Sequence, residues 1–287
     1  MSVRKVLLQF DTDPKPSSFD AIVAIDAGVD CLLTYQNVTP ETVEPLVHGA
    51  LFTRAPGELK HTAIFVGGSQ LELGERVLAR IVETFFGPFR VSAMLDPGGA
   101  NTTAAAAVLR VAQHVALPES RCLVLGGTGP VGRRVARLLA SEGAYVLLGS
   151  RRQERATEAW QSVEAAVPTA RGEPCETAGE KLAALVQSVE VIISAGAAGV
   201  QLLAADRWQQ VDRLRVVVDL NAVPPVGIEG VEPADKGTER HGTICYGALG
   251  VGGLKMRIHR RAIARLFEAN DLILDAESIL QLGKELS

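Results

Sequence analysis

The sequence predicts an α/β protein with two domains, one of them built on a doubly wound parallel sheet. Two observations support this class. Short runs of apolar and β-branched residues alternate with segments whose apolar residues recur at helical spacing, which is typical of parallel strands covered by helices. A glycine-rich turn at 126–132 joins one of these runs to a helix. With 287 residues, the chain is long enough for two modest domains.

The first 118 residues are predicted to form a smaller α/β domain. Apolar runs predict strands at 6–10 and 63–66 and, more weakly, at 21–25, while spacing predicts a helix at 75–86. An alanine-rich helix is expected at 101–116, with Asn101 as its N-cap, and it ends at the domain boundary.

The second domain, 119–253, begins with a strand, a glycine turn and a helix. Leu123-Val124-Leu125 suits a buried parallel strand, and Gly127, Gly129 and Gly132 follow it in G-x-G-x-x-G spacing. In this pattern the first glycine permits the tight turn, the second lets a pyrophosphate approach the backbone, and the third lets helix and strand pack closely. The free amides at the helix start attract phosphate. The sequence therefore predicts a Rossmann-type dinucleotide site that comprises Gly127, Thr128, Gly129, Pro130, Val131 and Gly132.

The next strand ends in Ser150-Arg151-Arg152, which indicates the type of dinucleotide. Sites for NAD usually have an acidic residue at this point, and it binds the ribose hydroxyl. Arginines instead favour an extra phosphate, so the predicted cofactor is NADP, bound by Ser150, Arg151 and Arg152, with Arg155 one turn further on. The alternative for these arginines is a solvated, charged turn.

Two later apolar runs, 189–195 and 214–220, are predicted strands of the same sheet, and 180–187 and 204–211 are predicted helices. Ligands bind outside the carboxyl ends of strands in open parallel sheets. Ala195 ends the first of these predicted strands, Gly196 follows it and Asn221 follows the second, so all three are expected to line the cofactor site.

The end of the chain carries two amphipathic segments, 259–269 and 276–286, the second started by Asp275. Residues 254–287 are expected to pack on the N-terminal domain and to complete it.

Composition excludes several functions. The net charge of −4 gives no reason to expect a nucleic-acid partner, and no apolar run is long enough to span a bilayer. The N-terminal stretch does not have the pattern of a signal peptide. The four cysteines are far apart and lack metal-ligand spacing, so we expect no metal and a cytoplasmic protein with reduced thiols.

Four segments outside the cofactor turn carry polar residues that suit a second ligand. They are 10–14 with Asp20 nearby, 67–69, 96–103 and 247–255. Each also has a purely structural explanation. Aspartates such as Asp13 often cap turns, and Asn101 and Thr102 can satisfy amides at a helix start. Lys255 is equally compatible with the surface, and His259 with packing or capping.

Taken together, several motifs resemble one family. They are FDTD, AIFVGG, FFGPFRVS, DPGGANTTAAA, GGTGPVG, DLNAVPPVGI and GALGVGGLKMRIHR. The chain resembles the NADP-dependent methylene-tetrahydromethanopterin dehydrogenases of methylotrophic bacteria over essentially its whole length. The resemblance implies oxidation of a methylene group on a reduced pterin to methenyl, with hydride passing to NADP, in formaldehyde oxidation. It also implies a homo-oligomer, a trimer or hexamer, and a reaction without flavin or metal.

The resemblance further implies a substrate side. Lys255 and Asp13 are the expected catalytic residues, and Asp20, Asn101, Thr102 and His259 the expected substrate-binding residues. Because a hydride leaves a carbon between two nitrogens, no proton need be removed, and catalysis should consist mostly of positioning two rings. A carboxylate can stabilise the developing cation. Lys255 cannot do so directly and would instead bind the pterin or orient a carboxylate.

Three other functions are weighed against this one. A methylene-tetrahydrofolate dehydrogenase performs the same chemistry on another carrier. A shikimate-dehydrogenase-like NADP reductase shares the two-domain plan but fits the N-terminal motifs less well. A non-catalytic NADP sensor would not need so many polar residues in a second site.

Overall fold

The computed structural model describes residues 3–287, which divide into two units. The first unit comprises the described residues up to Thr102 together with Met256–Leu286. The second comprises Thr103–Lys255 and Ser287. Residues 1 and 2, with which the predicted first domain begins, lie outside the described range. The helix 101–116, assigned from sequence to the first domain, falls mostly within the second unit.

The first unit contains a five-stranded parallel sheet. Its strands are β1 (Val6–Asp11), β2 (Cys31–Tyr35), β3 (Thr62–Gly67), β4 (Ser92–Leu95) and β12 (Ile273–Leu274), in the order β12-β4-β3-β1-β2. Its helices are α1 (Ser18–Asp26), α2 (Val43–Leu51), α3 (Leu71–Thr84) and α9 (Ala276–Lys284). Two further helices, α4 (Ala100–Ala112) and α8 (Ala248–Arg265), continue from one unit into the other along the chain.

One face of this sheet is an apolar core. Leu8, Phe10, Ile64 and Val66 alternate along β1 and β3 and pack with buried residues of α2 and α3. Because neighbouring residues of a strand point to opposite faces, the residues between them point to the other side. There the sheet carries polar groups such as Gln9 and Asp11, both buried.

The second unit contains a seven-stranded sheet in the order β10-β11-β9-β8-β5-β6-β7, and only the β10–β11 pair is antiparallel. Its strands are β5 (Arg121–Leu125), β6 (Tyr145–Ser150), β7 (Arg171–Glu176), β8 (Val191–Ser194), β9 (Val216–Asp219), β10 (Lys236–Arg240) and β11 (Thr243–Tyr246). Its own helices are α5 (Pro130–Ser141), α6 (Gln153–Ala166) and α7 (Glu180–Gln187).

The predicted α/β class and doubly wound sheet are confirmed, with strands at or within a residue or two of 6–10, 63–66, 189–195 and 214–220. The predicted strand at 21–25 is wrong, because these residues lie in α1. The side chain of Ser17 accepts the amide of Asp20 at 3.2 Å and starts this helix, a cap that outweighs the β-branched composition.

The predicted helix at 204–211 is also wrong, since only a single 3₁₀ turn forms at Ala205–Arg207. Trp208 is fully buried, and its indole nitrogen donates to the carbonyl of Glu229 at 2.9 Å. This tertiary contact fixes the segment where propensity alone favours a helix. The segment 247–255 is mostly helical, since α8 begins at Ala248 and ends at Arg265.

Among the helices within residues 3–287, none combines the length and the apolar character required to cross a bilayer.

Candidate functional site

The glycine turn lies where the order of the second sheet reverses. The chain runs from β5 to β6 on one side, and β8 lies on the other side of β5. The turn after β5 and the residues after β8 therefore meet at the carboxyl edge. Gly126 adopts φ +71°, and a Cβ atom there would lie 2.8 Å from the amide nitrogen of Gly196. The left-handed turn residue is thus Gly126, not Gly127 as the spacing predicted.

The other glycines keep the turn close to its neighbours. A Cβ at Gly132 would lie 2.4 Å from the carbonyl oxygen of Gly126, which accounts for the close approach of α5 to the turn. At Gly129 the nearest atom would be 3.6 Å away, so the protein itself leaves space there. Gly129 is the N-cap of α5 and offers no side-chain acceptor, so the first amides of the helix remain available to a phosphate.

Ser150, Arg151 and Arg152 stand at the carboxyl end of β6, and Arg155 follows in the first turn of α6. The Ser150 hydroxyl is buried and accepts the Arg152 amide at 3.4 Å. All three arginines are exposed, and within residues 3–287 none of them forms an ion pair. Three cations without carboxylate partners beside a pyrophosphate-type turn have the chemistry required by the additional phosphate of NADP.

Ala195 and Asn221, also expected at this edge, have different surroundings. The Ala195 amide donates to Leu125, which places the chain after β8 against the glycine turn. The side chain of Asn221 bridges its own loop, because its amide group donates to the carbonyl of Pro225 at 3.1 Å and its oxygen accepts the amide of Val223 at 2.9 Å. These bonds give Asn221 a structural role in addition to the predicted one.

Asp219 organises the same loop and was not identified from the sequence. This buried carboxylate accepts the amides of Asn221 at 3.1 Å and Ile228 at 2.9 Å. Burial raises its pKa above the ordinary value of an aspartate, although the hydrogen bonds oppose this effect. The sequence signal that could have identified Asp219 is an acidic residue at the end of an apolar strand.

In the first unit, polar residues gather at the carboxyl ends of β1, β3 and β4. The strand order also reverses here, between β1 and β3. Asp11 is buried and accepts the amides of Asp13 and Ser17, each at 2.9 Å, so it shapes the loop. The half-buried Asp13 accepts the hydroxyl of Ser69 at 2.9 Å. Two of the loops predicted to carry a second ligand are therefore in direct contact.

Asp20 belongs to the same edge. Its carboxylate and that of Asp11 would lie 3.7 Å and 3.6 Å from a Cβ atom at Gly67, so the two carboxylates converge on that glycine. Asp20 is buried in the first turn of α1.

Asp96, which follows β4, is the centre of a second buried group. Its carboxylate accepts the amides of Asn101 at 2.8 Å and Thr102 at 3.1 Å, and the Thr102 hydroxyl at 2.7 Å. The expectation that Asn101 caps α4 is therefore wrong: Asp96 performs that task, and Asn101 lies inside the helix. The Asn101 amide group donates to the carbonyl of Leu95, whereas its buried Oδ1 has no donor among the described residues.

His259 is fully buried, and its Nδ1 lies 3.9 Å from the Asp96 carboxylate. Its ring stacks on Phe65 with centroids 5.8 Å apart and lies 6.3 Å from the ring of Phe19. The half-buried Lys255 lies four residues earlier on the same helix and belongs to the second unit, of which Thr103–Lys255 is the main segment. His259 thus lies close both to the Asp96 carboxylate and to the ring of Phe19, which is half exposed.

No group of three His, Cys, Asp or Glu residues in the described part of the chain is arranged to hold a metal ion. Burial raises the pKa of the Cys122 and Cys245 thiols to about 12 and that of Cys175 to about 11, so these thiols stay protonated. A separate surface cavity of about 270 Å³ lies in the second unit, beyond the predicted site residues. Leu182, Ala183, Leu202 and Arg207 are among its lining residues.

The fold and the nucleotide edge define a Rossmann-type protein with a second α/β unit. A solved structure of quinate dehydrogenase from Corynebacterium glutamicum in complex with NAD has a similar fold, with a TM-score of 0.51 at 12% identity over 98% of this chain and 99% of that one. At this identity, the likeness shows the fold alone.

Sequence comparisons specify the family. Residues 18–98 match the profile described as methylene-tetrahydromethanopterin dehydrogenase, N-terminal. The chain is 45% identical to the bifunctional protein MdtA of Methylorubrum extorquens, over 99% of both chains. It is 33% identical to the NAD(P)-dependent methylenetetrahydromethanopterin dehydrogenase of the same organism, over 94% of this chain and 95% of that one. The chain belongs to the methylene-tetrahydromethanopterin dehydrogenase family, which confirms the resemblance drawn from its motifs.

Proposed function

We propose that this protein oxidises methylene-tetrahydromethanopterin to the methenyl form and transfers the hydride to NADP, in one-carbon metabolism that oxidises formaldehyde. The observation that carries the proposal is the identity of 45% and 33% to family relatives over nearly the whole chain, one of them named for this reaction. These relatives favour the methanopterin carrier over the folate and shikimate alternatives and over a non-catalytic sensor.

The second unit, which contains the predicted domain 119–253, is assigned the binding of NADP. Gly127, Thr128 and Gly129 with Pro130, Val131 and Gly132 would hold the pyrophosphate at the start of α5. Ser150, Arg151, Arg152 and Arg155 would bind the additional phosphate. Ala195, Gly196 and Asn221 would complete the edge. NADP supplies the hydride acceptor, and the protein supplies the backbone amides and the three cations.

The first unit is assigned the binding of the pterin. The methylene carbon becomes part of a delocalised cation as the hydride leaves, so a carboxylate nearby lowers the energy of the transition state. Asp13 is half-buried and Asp20 buried at the same edge, and both can provide that charge. The buried Oδ1 of Asn101, which has no donor among the described residues, suits an N–H group of the pterin, and Thr102 is held beside it by Asp96.

Lys255 and His259 have positioning roles in this account. Complete burial makes His259 a support for Asp96 and Phe19. Lys255, half-buried one turn earlier, would hydrogen-bond the pterin or orient a carboxylate, since its own charge would oppose the cation.

A homo-oligomer, trimeric or hexameric, and a cytoplasmic location form part of the proposal. Apolar side chains on the outer face of α1 support self-association, since Phe19, Ile22 and Ile25 are each at least half exposed. Light scattering of the purified protein tests the oligomer, and a monomer at micromolar concentration would contradict it.

The central experiment compares methylene-tetrahydromethanopterin with methylene-tetrahydrofolate, each with NADP and with NAD. We expect the highest kcat/KM with methanopterin and NADP. Arg151→Ala and Arg152→Ala should each raise the KM for NADP about tenfold without changing that for NAD, because a charge-assisted contact to phosphate is lost. Arg215→Ala is the matched control, because Arg215 is an exposed arginine at the amino end of β9, away from the carboxyl edge where the cofactor is proposed to bind. An unchanged NADP preference would contradict the phosphate role.

A further inference from the structure

A carboxylate lies at the end of β7, the strand that neighbours β6, and the three arginines follow the end of β6. Glu176 is the last residue of β7 and the register partner of Ser150, the last residue of β6. The amide of Thr177 donates to the carbonyl of Ser150 at 2.8 Å, so the two strand ends remain together beyond the ladder. Adjacent strands are about 4.8 Å apart, which places the Glu176 backbone one strand spacing from Ser150, a residue of the proposed phosphate site.

Lys181 is the ion-pair partner of this carboxylate. It lies in the first turn of α7, and its ammonium group is ion-paired with Glu176. The Glu176 side chain is 29% exposed and that of Lys181 68% exposed. The pair is therefore open to solvent, and its effect on a ligand would be electrostatic.

The arrangement differs from a simple arginine pocket. Sites for NAD usually place a carboxylate at the end of the second strand, where it accepts a ribose hydroxyl and repels an additional phosphate. Here the corresponding strand is β6, which is followed by arginines, and a carboxylate stands at the end of the neighbouring strand β7. Without a cation beside it, that carboxylate would weaken phosphate binding by like-charge repulsion.

We propose that Lys181 neutralises Glu176 and that this ion pair sets the preference of the site between NADP and NAD. The charge of Glu176 opposes binding of the additional phosphate, and the charge of Lys181 cancels this repulsion. The inference rests on the proposed function in one respect, namely that the arginines bind the additional phosphate of the nucleotide.

Two nucleotide fragments separate the contribution of that phosphate from the rest of the cofactor. Calorimetric titration with 2′,5′-ADP and with 5′-ADP measures the affinity ratio between them, without turnover. We expect Lys181→Met to weaken 2′,5′-ADP binding about threefold to tenfold, as for one uncompensated surface charge near a phosphate, and to leave 5′-ADP unchanged. Glu176→Gln should strengthen 2′,5′-ADP binding about twofold to threefold. The double variant should restore an affinity near that of the native protein.

Glu173→Gln is the matched control, because Glu173 is an exposed glutamate on the same strand, three residues before the carboxyl end. It should leave both affinities unchanged. If Lys181→Met left the affinity ratio of the two fragments as it is in the native protein, or if the double variant were as weak as Lys181→Met, the inference would be wrong. A native protein that binds 2′,5′-ADP no better than 5′-ADP would instead refute the arginine site itself, a failure of the proposed function that this titration distinguishes.

Discussion

The nucleotide edge of the second unit and the polar edge of the first unit are built on the same principle with different materials. Both lie at the carboxyl ends of a parallel sheet, where the strand order reverses between β5 and β8 or between β1 and β3. At the nucleotide edge the pyrophosphate-type turn is made of backbone, since its glycines let the turn, α5 and the chain after β8 lie close together. The polar edge is made of side chains, mainly buried carboxylates that bind amides of their own loops.

The difference shows what each site tolerates. A backbone site depends on the absence of side-chain atoms, so added atoms damage it. A side-chain site depends on groups that several loops contribute, so removed atoms damage it. The following predictions test this contrast, beginning with the largest expected effect.

Two glycines in the same turn should respond differently to alanine. Gly132→Ala places a Cβ atom 2.4 Å from the Gly126 carbonyl and should destabilise the protein by about 3 kcal/mol, because backbone must move. Gly129→Ala meets nothing closer than 3.6 Å, so stability should persist while NADP binding weakens by about tenfold or more. Thermal unfolding and NADP titration of both variants measure these effects. Normal NADP binding by Gly129→Ala would show that no phosphate approaches this glycine.

Removal of the Asp96 carboxylate tests the side-chain edge. Asp96→Ala leaves two amides and one hydroxyl without their buried acceptor, which should cost about 2–4 kcal/mol of the free energy of unfolding. Thr102→Val removes only the hydroxyl and should cost about 1–2 kcal/mol. Denaturant titration measures both. Equal stability of Asp96→Ala and the native protein would contradict the central position of this carboxylate.

Lys255→Ala tests the link between α8 and the substrate. We expect kcat/KM for the methylene-pterin to fall about tenfold or more, while NADP affinity stays unchanged, because one charged hydrogen bond contributes about 1.5–3 kcal/mol. Arg257→Ala, an exposed cation two residues further along the same helix, is the control and should retain full activity. Native rates and pterin affinity in Lys255→Ala would remove this residue from the site.

The smallest effect concerns pH. Burial would raise the pKa of Asp235, yet hydrogen bonds from Arg240 and from the Glu232 amide hold it below the ordinary aspartate value. Because the folded pKa is the lower one, this stabilisation is complete above the unfolded pKa of about 3.9 and is lost as pH falls through the folded value. Asp235→Asn should therefore be less stable than the native protein at neutral pH by about 1–2 kcal/mol.

The stability difference between Asp235→Asn and the native protein should shrink below about pH 4, which unfolding midpoints across this range would show. A constant difference down to pH 2–3 would mean that the charge of Asp235 makes no contribution.

The contrast between the two edges also explains what the sequence could predict. A glycine turn between an apolar strand and an amphipathic helix is a local pattern, so α5, β6 and the arginines were found from spacing alone. Within that turn, the residue with positive φ is Gly126, which spacing could not separate from Gly127. The first-unit site brings together 11–20, 67–69, 96–102 and His259, and residues so far apart in sequence cannot be seen to be in contact from the sequence alone.

Tertiary contacts and capping account for the errors. Residues 21–25 look like a strand by composition but follow the Ser17 cap, and Trp208 fixes a segment whose spacing favours a helix. The capping role of Asp96 was not predicted, because Asn101, five residues later, is an equally good N-cap by residue type. Only the structure shows that the Asp96 carboxylate accepts the first amides of α4.

One isotope measurement tests the central claim most directly. Methylene-tetrahydromethanopterin with both hydrogens of its methylene carbon replaced by deuterium is incubated with the native protein and unlabelled NADP, and the reduced nucleotide is analysed for label. Direct hydride transfer predicts one deuterium at C4 of the nicotinamide in every NADPH formed. Unlabelled NADPH, or no reduction although NADP and the pterin both bind, would contradict the proposed function.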